Sequence, residues 1–153
     1  MSSLELKIPP VVVFLIATVF LYFTPSIGNY SVLLGDNTKI VSHLIFALGI
    51  VIGALGVVTF KKANTTVNPV EIERASSLVT TGVFQMTRNP MYLAMAIAIF
   101  SMSVRFDNVA GAFWVLPFCV FITRFQIMPE ERNLLAIFGD DFIQYSQNVR
   151  RWL

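Results

Sequence analysis

Apolar residues in this chain gather into four runs separated by polar links. The first, residues 8–27, opens on Pro9-Pro10, and proline suits a helix start because the N–H it lacks would have no partner there. The second, 40–60, is bracketed by Lys39 and Lys61-Lys62. At about 1.5 Å per residue it reaches across roughly 30 Å of hydrocarbon. The third, 91–104, is short for a crossing. It must borrow flanking residues or sit against a thinned or protein-lined region. The fourth, 109–128, contains Pro117 and carries Arg124 near its end.

The links constrain how these runs meet. Residues 25–39 form a short polar link with Gly28, Asn29, Gly35, Asp36 and Asn37, and 105–108 is so tight that the third and fourth runs must form a helical hairpin. Residues 63–87 are longer and polar, and the chain beyond Met128 stays polar and helical in pattern. In the tail, Phe138, Phe142, Tyr145, Val149 and Trp152 follow a 4-3-4-3 spacing, one stripe of a helix. Asp140 and Asp141 near its start and Arg150 and Arg151 at its end complement the helix dipole. Such a helix lies along a membrane surface or docks on a bundle. The expected fold is therefore all-α: an integral membrane helical bundle of about four transmembrane helices plus a cytoplasmic C-terminal amphipathic helix. It is read as one domain over 1–153, with a helix pair in 1–62 and the chemistry in 63–153.

Composition strengthens the membrane reading. The chain has 153 residues, 56% hydrophobic and 13% charged, with a mean hydropathy of +0.71. Soluble domains carry about 25% charged residues, so this chain has too little polar surface to face water all round. It is also too short for a soluble catalytic domain plus an anchor, so any chemistry falls to the membrane domain itself. A net charge of +2 gives no case for nucleic acid as a partner. The lone Cys119 sits in an apolar run, and with the lone His43 it cannot build a zinc site, so no metal is expected. The N-terminus, with Glu5 beside Lys7 and no small-residue cleavage site, does not read as a cleaved signal.

Charge also sets an orientation. With the N-terminus in the cytoplasm, Lys7, Lys61, Lys62, Arg74, Arg88, Arg124, Arg132, Arg150 and Arg151 all fall inside, and Lys39 and Arg105 outside. Both termini are then cytoplasmic, and the 63–87 link shares a face with the tail. The compact size suits a prokaryotic inner membrane. His43 reads as a helix–helix hydrogen-bonding residue. Gly49 and Gly53 form a Gly-x-x-x-Gly stripe for close packing, either within the bundle or in a homodimer.

Polar groups at the membrane boundary gather in two stretches, 80–92 and 124–132. The first is a loop feeding a helix whose first turn holds Pro90, so free amides with partial positive charge point back at Arg88 and Asn89. The second puts Glu130 and Glu131 at the same height on the neighbouring helix. A cationic, amide-rich patch facing an acidic one suits a zwitterion with a cationic centre. A carboxylate would take Arg88, an ammonium Glu130, and a sulfonium the faces of Phe84 and Tyr92. Phosphate or another amino acid would fit about as well. The bland readings are a membrane-boundary anchor for Arg88 and Arg124, and a solvated helix end for Glu130 and Glu131.

The order of these residues carries a resemblance. Gly82-Val83-Phe84 followed by Arg88-Asn89-Pro90-Met91-Tyr92 resembles the Arg-His-Pro-x-Tyr signature of the isoprenylcysteine carboxyl methyltransferase / phospholipid methyltransferase family. Glu130-Glu131-Arg132-Asn133-Leu134 resembles its Glu-Glu-x-x-Leu, and Phe138-Gly139 through Phe142 and Tyr145 its Phe-Gly-x-x-Tyr-x-x-Tyr. Thr66, Pro69 and Ser77-Leu78-Val79 fit upstream, so the likeness covers about 65–152. It implies an integral membrane enzyme that uses S-adenosylmethionine. By the resemblance, Leu78, Val79, Phe84, Arg88, Asn89, Pro90, Met91, Tyr92 and Glu130 bind that cofactor. Arg88, Tyr92 and Glu131 are the catalytic candidates, and Arg124 and Gln126 the substrate candidates.

Two departures matter. Asn89 stands where the family has histidine, so it can hydrogen-bond but not carry a proton. Gln126 stands where the prenylcysteine enzymes have a substrate arginine, with Arg124 close by, which weakens the case for a prenylcysteine carboxylate. The acceptor is then a lipophilic or small carboxylate, thiol or amine, met among membrane lipids. A carboxylate or thiolate needs no base, whereas an amine needs Glu131 or Tyr92 as a relay. The cofactor would enter from the cytoplasm beneath the 63–87 link and the tail, and an apolar substrate sideways from the lipid. The alternatives are a phospholipid N-methyltransferase, a nicotinamide-dependent reductase relative and a non-catalytic scaffold.

Overall fold

Five helices organise the computed structural model, which describes residues 4–63 and 77–153; Thr66, Pro69 and Arg74 lie outside the described residues. We label them α1 Pro10–Phe23, α2 Thr38–Lys62, α3 Pro90–Arg105, α4 Ala110–Phe138 and α5 Asp140–Asn148. Among the described residues every regular element is helical, as the periodicity requires. α2 with the turns before it (Ser31–Lys62) and α4 are long and apolar enough to cross a membrane. α1 and α3, at 14 and 16 residues, rise only about 21 and 24 Å.

The short α3 is the buried one. Tyr92, Ala96 and Ile99 on it form the core with Ala17 and Leu21 of α1 and with Phe118, Ile122 and Ile127 of α4. Its remaining side is taken by α2 through a glycine stripe. A Cβ on Gly49 would lie 3.2 Å from the Ala94 carbonyl, one on Gly53 3.2 Å from Ala94 Cβ, and one on Gly56 3.0 Å from Pro90 Cγ. So α3 is the protein-lined segment that its length demanded. Of the two packings expected of the stripe, the one within the bundle is found: α3 of the same chain fills the Gly49/Gly53 face. His43 departs from its expected role. Its ring bonds the Lys39 carbonyl of its own helix at 2.6 Å, and the helix–helix bond falls one residue earlier, where Ser101 Oγ donates to the Ser42 carbonyl at 2.8 Å.

The two ends of the bundle gather different segments of the chain. At one end the α1–α2 link meets the α3–α4 hairpin turn: Val109 N–H donates to the Gly28 carbonyl and Ala110 N–H to that of Ile27. Asp107, at φ +53, accepts from the Ser31 amide at 2.7 Å and the Ser31 hydroxyl at 2.5 Å. These Ser31 bonds hold its carboxyl below the usual carboxylate range. A depressed folded value contributes stability above the ordinary pKa, and that stability is lost as pH falls through the folded value. We expect Asp107→Asn to lower the melting temperature in detergent at pH 7. The gap to wild type should narrow as the pH falls below the ordinary carboxylate range; a gap that does not narrow would show that the ionised form is not what matters.

At the other end lie the N-terminal segment, the start of α3, the second half of α4 and the tail. α4 changes its winding on the way: 3-10 at Ala110–Trp114, α at Val115–Ile122, one π turn at Thr123–Ile127, then α again from Met128. Pro129 explains much of this. It has no N–H to give the carbonyl four residues back, that of Phe125, and its ring crowds it. The freed Phe125 carbonyl accepts instead from Leu6 N–H at 3.0 Å. The tail departs from its stripe. Gly139, at φ +51, breaks the helix between α4 and α5, and Val149 is already extended, so Trp152 reaches the core from an extended segment rather than from a helix. Of the two dockings expected for the tail, the bundle is the one adopted.

Candidate functional site

Two ion-pair and hydrogen-bond systems meet where α3 begins and α4 turns polar. Tyr92 is buried, and its hydroxyl donates to Glu130 Oε1. One residue further along α4, Glu131 is gripped from two sides. Arg88 Nη1 lies 3.1 Å from Oε1, and Arg151 approaches with Nε at 3.0 Å from both oxygens and Nη2 at 2.8 Å from Oε2. Such a fork is the strong form of a guanidinium–carboxylate contact. Glu131 in turn raises the pKa of Arg151 further above its ordinary range. Beside this triad opens a cavity of about 330 Å³, lined by Arg88, Met128, Glu131, Arg132, Phe142 and Arg151 among others. That volume is at the low end of ligand pockets.

The loop before α3 is held by the tail. Thr87 Oγ1 and Asn89 Nδ2 both donate to the Arg151 carbonyl, at 3.1 and 2.9 Å, and Arg88 N–H donates to the Arg150 carbonyl at 3.0 Å. Asn89 thus uses its amide as a strut, a role compatible with the missing histidine. Its backbone, at φ −131 and ψ 59, is kept out of the helical region by the proline after it. Pro90 then opens α3 against Gly56. Phe84 is buried in the turn Gly82–Gln85, edge-on to Phe60, and its carbonyl accepts from the Tyr145 hydroxyl at 2.7 Å. Burial pushes the Tyr145 hydroxyl above its usual range, so it stays a donor.

The predicted residues divide into two groups. Arg88, Tyr92, Glu130 and Glu131 converge as the two stretches required, with Asn89 and Pro90 framing them. Val79 is buried, and Leu78 and Met91 half-buried, around the same loop and helix start. Arg124 and Gln126 do not join them. Gln126 is 2% exposed and donates to the Ile8 carbonyl at 2.6 Å, and Arg124 pairs with Glu5 at 3.5 Å. Both therefore serve the N-terminal segment. Missed from sequence as site residues were Arg151, read as an inside cation and dipole partner, and Phe142, read as docking stripe and part of the family resemblance but placed with its ring 6.0 Å from the Arg88 guanidinium.

The arrangement fits a small zwitterion. Two arginines share one carboxylate, leaving positive charge at the cavity, and Arg88 Nε is buried with no hydrogen-bond partner among the described residues. Next to Glu131 on the same helix, the Glu130 carboxyl group accepts the Tyr92 hydroxyl.

Comparison with known proteins points the same way. The model of the phospholipid methyltransferase family matches residues 37–141. An uncharacterised protein of Haemophilus influenzae is 36% identical over 63 residues, 41% of this chain and 100% of that protein. Protein-S-isoprenylcysteine O-methyltransferase B of Arabidopsis thaliana is 30% identical over 105 residues, 67% of this chain and 52% of the plant protein, so this chain spans about half its length.

Proposed function

Because this chain belongs to the phospholipid methyltransferase family, we propose that it is a membrane methyltransferase using S-adenosylmethionine at the cytoplasmic end of the bundle. The observation that carries the reading is the Arg88–Glu131–Arg151 triad at a cavity, with the Tyr92–Glu130 pair one residue back along α4. In it, Arg88, whose Nε has no partner among the described residues, takes the cofactor carboxylate. Glu131 keeps Arg88 and Arg151 from repelling each other. Glu130, oriented by Tyr92, takes the ammonium, while Phe84 and the start of α3 close the apolar side. The cofactor supplies a methyl group already activated on a sulfonium, so the protein's task is to position and desolvate. Residues 63–153 hold this half of the reaction, and 1–62 supply the helices beside it.

The proton inventory bears on the acceptor. Both Glu131 oxygens are committed to guanidinium groups, and Asn89 carries no titratable group. That favours a carboxylate or thiolate acceptor, which needs no base. An amine such as a phospholipid ethanolamine headgroup is the second reading, favoured by the family's description. It requires the Tyr92–Glu130 pair to take the proton. Gln126, bonded to the Ile8 carbonyl, is assigned to the fold rather than to substrate.

The deciding measurement is calorimetric titration of S-adenosylmethionine and S-adenosylhomocysteine into protein in detergent, with NADPH as control. We expect both sulfur ligands to bind and NADPH not to. Binding of NADPH alone would make the chain a reductase relative, and binding of none a scaffold.

A further inference from the structure

The N-terminal segment ends in a carboxylate clamp that the methyl-transfer reading does not use. Glu5 reaches back to α4, its two oxygens on two different arginines: Oε1 is 3.5 Å from Arg124 Nη1 and Oε2 is 2.5 Å from Arg132 Nη2. The Glu5 side chain is only 5% exposed, whereas Arg124 and Arg132 are 51% and 47% exposed. The carboxylate is therefore tucked beneath two guanidinium groups that open outwards. Each carries five N–H donors in a fork suited to phosphate as well as carboxylate, and the contacts with Glu5 use one nitrogen of each.

The position of this pair points to lipid. Arg124 sits where α4 leaves its apolar stretch, about one and two turns beyond the outward-facing Val120 and Leu116, at 68% and 62% exposure. α1, packed beside this part of α4, turns Val11 and Leu15 outwards as well. A cation pair at the end of an apolar helix face meets headgroups at that depth, not bulk solutes. Arg132 also lines the cavity described above, so what binds the pair lies next to the site.

We propose that Arg124 and Arg132 form a binding site for the phosphate of an anionic lipid headgroup, and that Glu5 is its internal stand-in, displaced when the lipid binds. The inference does not rest on the methyl-transfer reading. The strap that carries Glu5 is pinned by Leu6 N–H on the Phe125 carbonyl and by Gln126 on the Ile8 carbonyl, so Glu5 can be removed without unseating the segment behind it. An internal competitor lowers apparent affinity by the fraction of time it holds the site. Two half-exposed ion pairs correspond to roughly a three- to thirtyfold effect.

The test is retention of phosphatidylglycerol by the detergent-purified full chain, read by native mass spectrometry, with glycerol phosphate and inorganic phosphate in parallel. E5Q should raise phosphatidylglycerol retention about three- to thirtyfold. Adding R124Q and R132Q should bring it below wild type. Neither free phosphate should compete at millimolar concentration. Unchanged or lower retention in E5Q would overturn the proposal, as would an arginine double variant that retains lipid like wild type. Competition by free phosphate would overturn the lipid assignment. Should E5Q fold poorly, the R124Q/R132Q variant alone decides instead. It should retain less phosphatidylglycerol than wild type and no less phosphatidylcholine, and phosphatidylglycerol retention equal to wild type would refute the site.

Discussion

Glu130→Ala should bind S-adenosylhomocysteine roughly 30- to 150-fold more weakly than wild type in the calorimeter. The estimate is that of one charge-assisted hydrogen bond in a screened site, about 2–3 kcal/mol. Glu130 is half-buried, stands next to a carboxylate neutralised from both sides, and receives the Tyr92 hydroxyl. Removing it withdraws the negative charge that the ammonium requires and leaves a core tyrosine without its acceptor. Two further variants separate those effects. Glu130→Gln keeps the acceptor but not the charge, and should lose most of the affinity. Tyr92→Phe keeps the charge but not its orientation, and should lose several-fold. If Glu130→Ala titrated like wild type, the grip proposed for the ammonium would be wrong, whatever the activity.

The second large effect is expected at a residue that touches no ligand. Gly56→Leu should lower the melting temperature in detergent by more than about 5 °C and abolish cofactor binding together with it. A Cβ alone at this position would stand 3.0 Å from Pro90 Cγ and 3.6 Å from Met91 Cγ. A leucine adds three more carbons where overpacking typically costs 1–3 kcal/mol. α2 and the start of α3 must then part, and Pro90 carries Arg88 and Asn89 with it. Leu55→Ala is the control, since Leu55 is 49% exposed on the outer side of the same helix. It should leave both readouts within error. A Gly56→Leu protein that melts with wild type would mean that the glycine stripe has slack.

Most of the helices and half of the site were legible before any coordinates, and the reason is periodicity. α2 and α4 announce themselves by long apolar runs. α3 does so by its deficit, because a run too short to cross alone has to be wrapped. Arg88, Tyr92, Glu130 and Glu131 could be paired because a tight hairpin turn fixes their heights. What stayed hidden depends on contacts between distant parts of the chain. Glu5 and Arg132 are 127 positions apart, and Gln126 and Ile8 are 118 apart. No local pattern marks either pair. Pro129 was visible, but the π turn before it and the capture of the Phe125 carbonyl by Leu6 needed the fold. The aromatic stripe of the tail was real as far as Tyr145. It misled beyond Asn148 because an extended segment can also bring a tryptophan to a core.

The grip of the Arg150 and Arg151 carbonyls on the loop at 87–89 has a consequence for biosynthesis. The Thr87 hydroxyl finds its acceptor 64 positions later. A ribosome delivering this chain to the bilayer therefore makes α1 to α3 well before the loop can be set. During that interval Arg88 has neither the Arg150 carbonyl for its amide nor Arg151 across Glu131. The loop at 87–89 is thus set only when the last residues of the chain arrive.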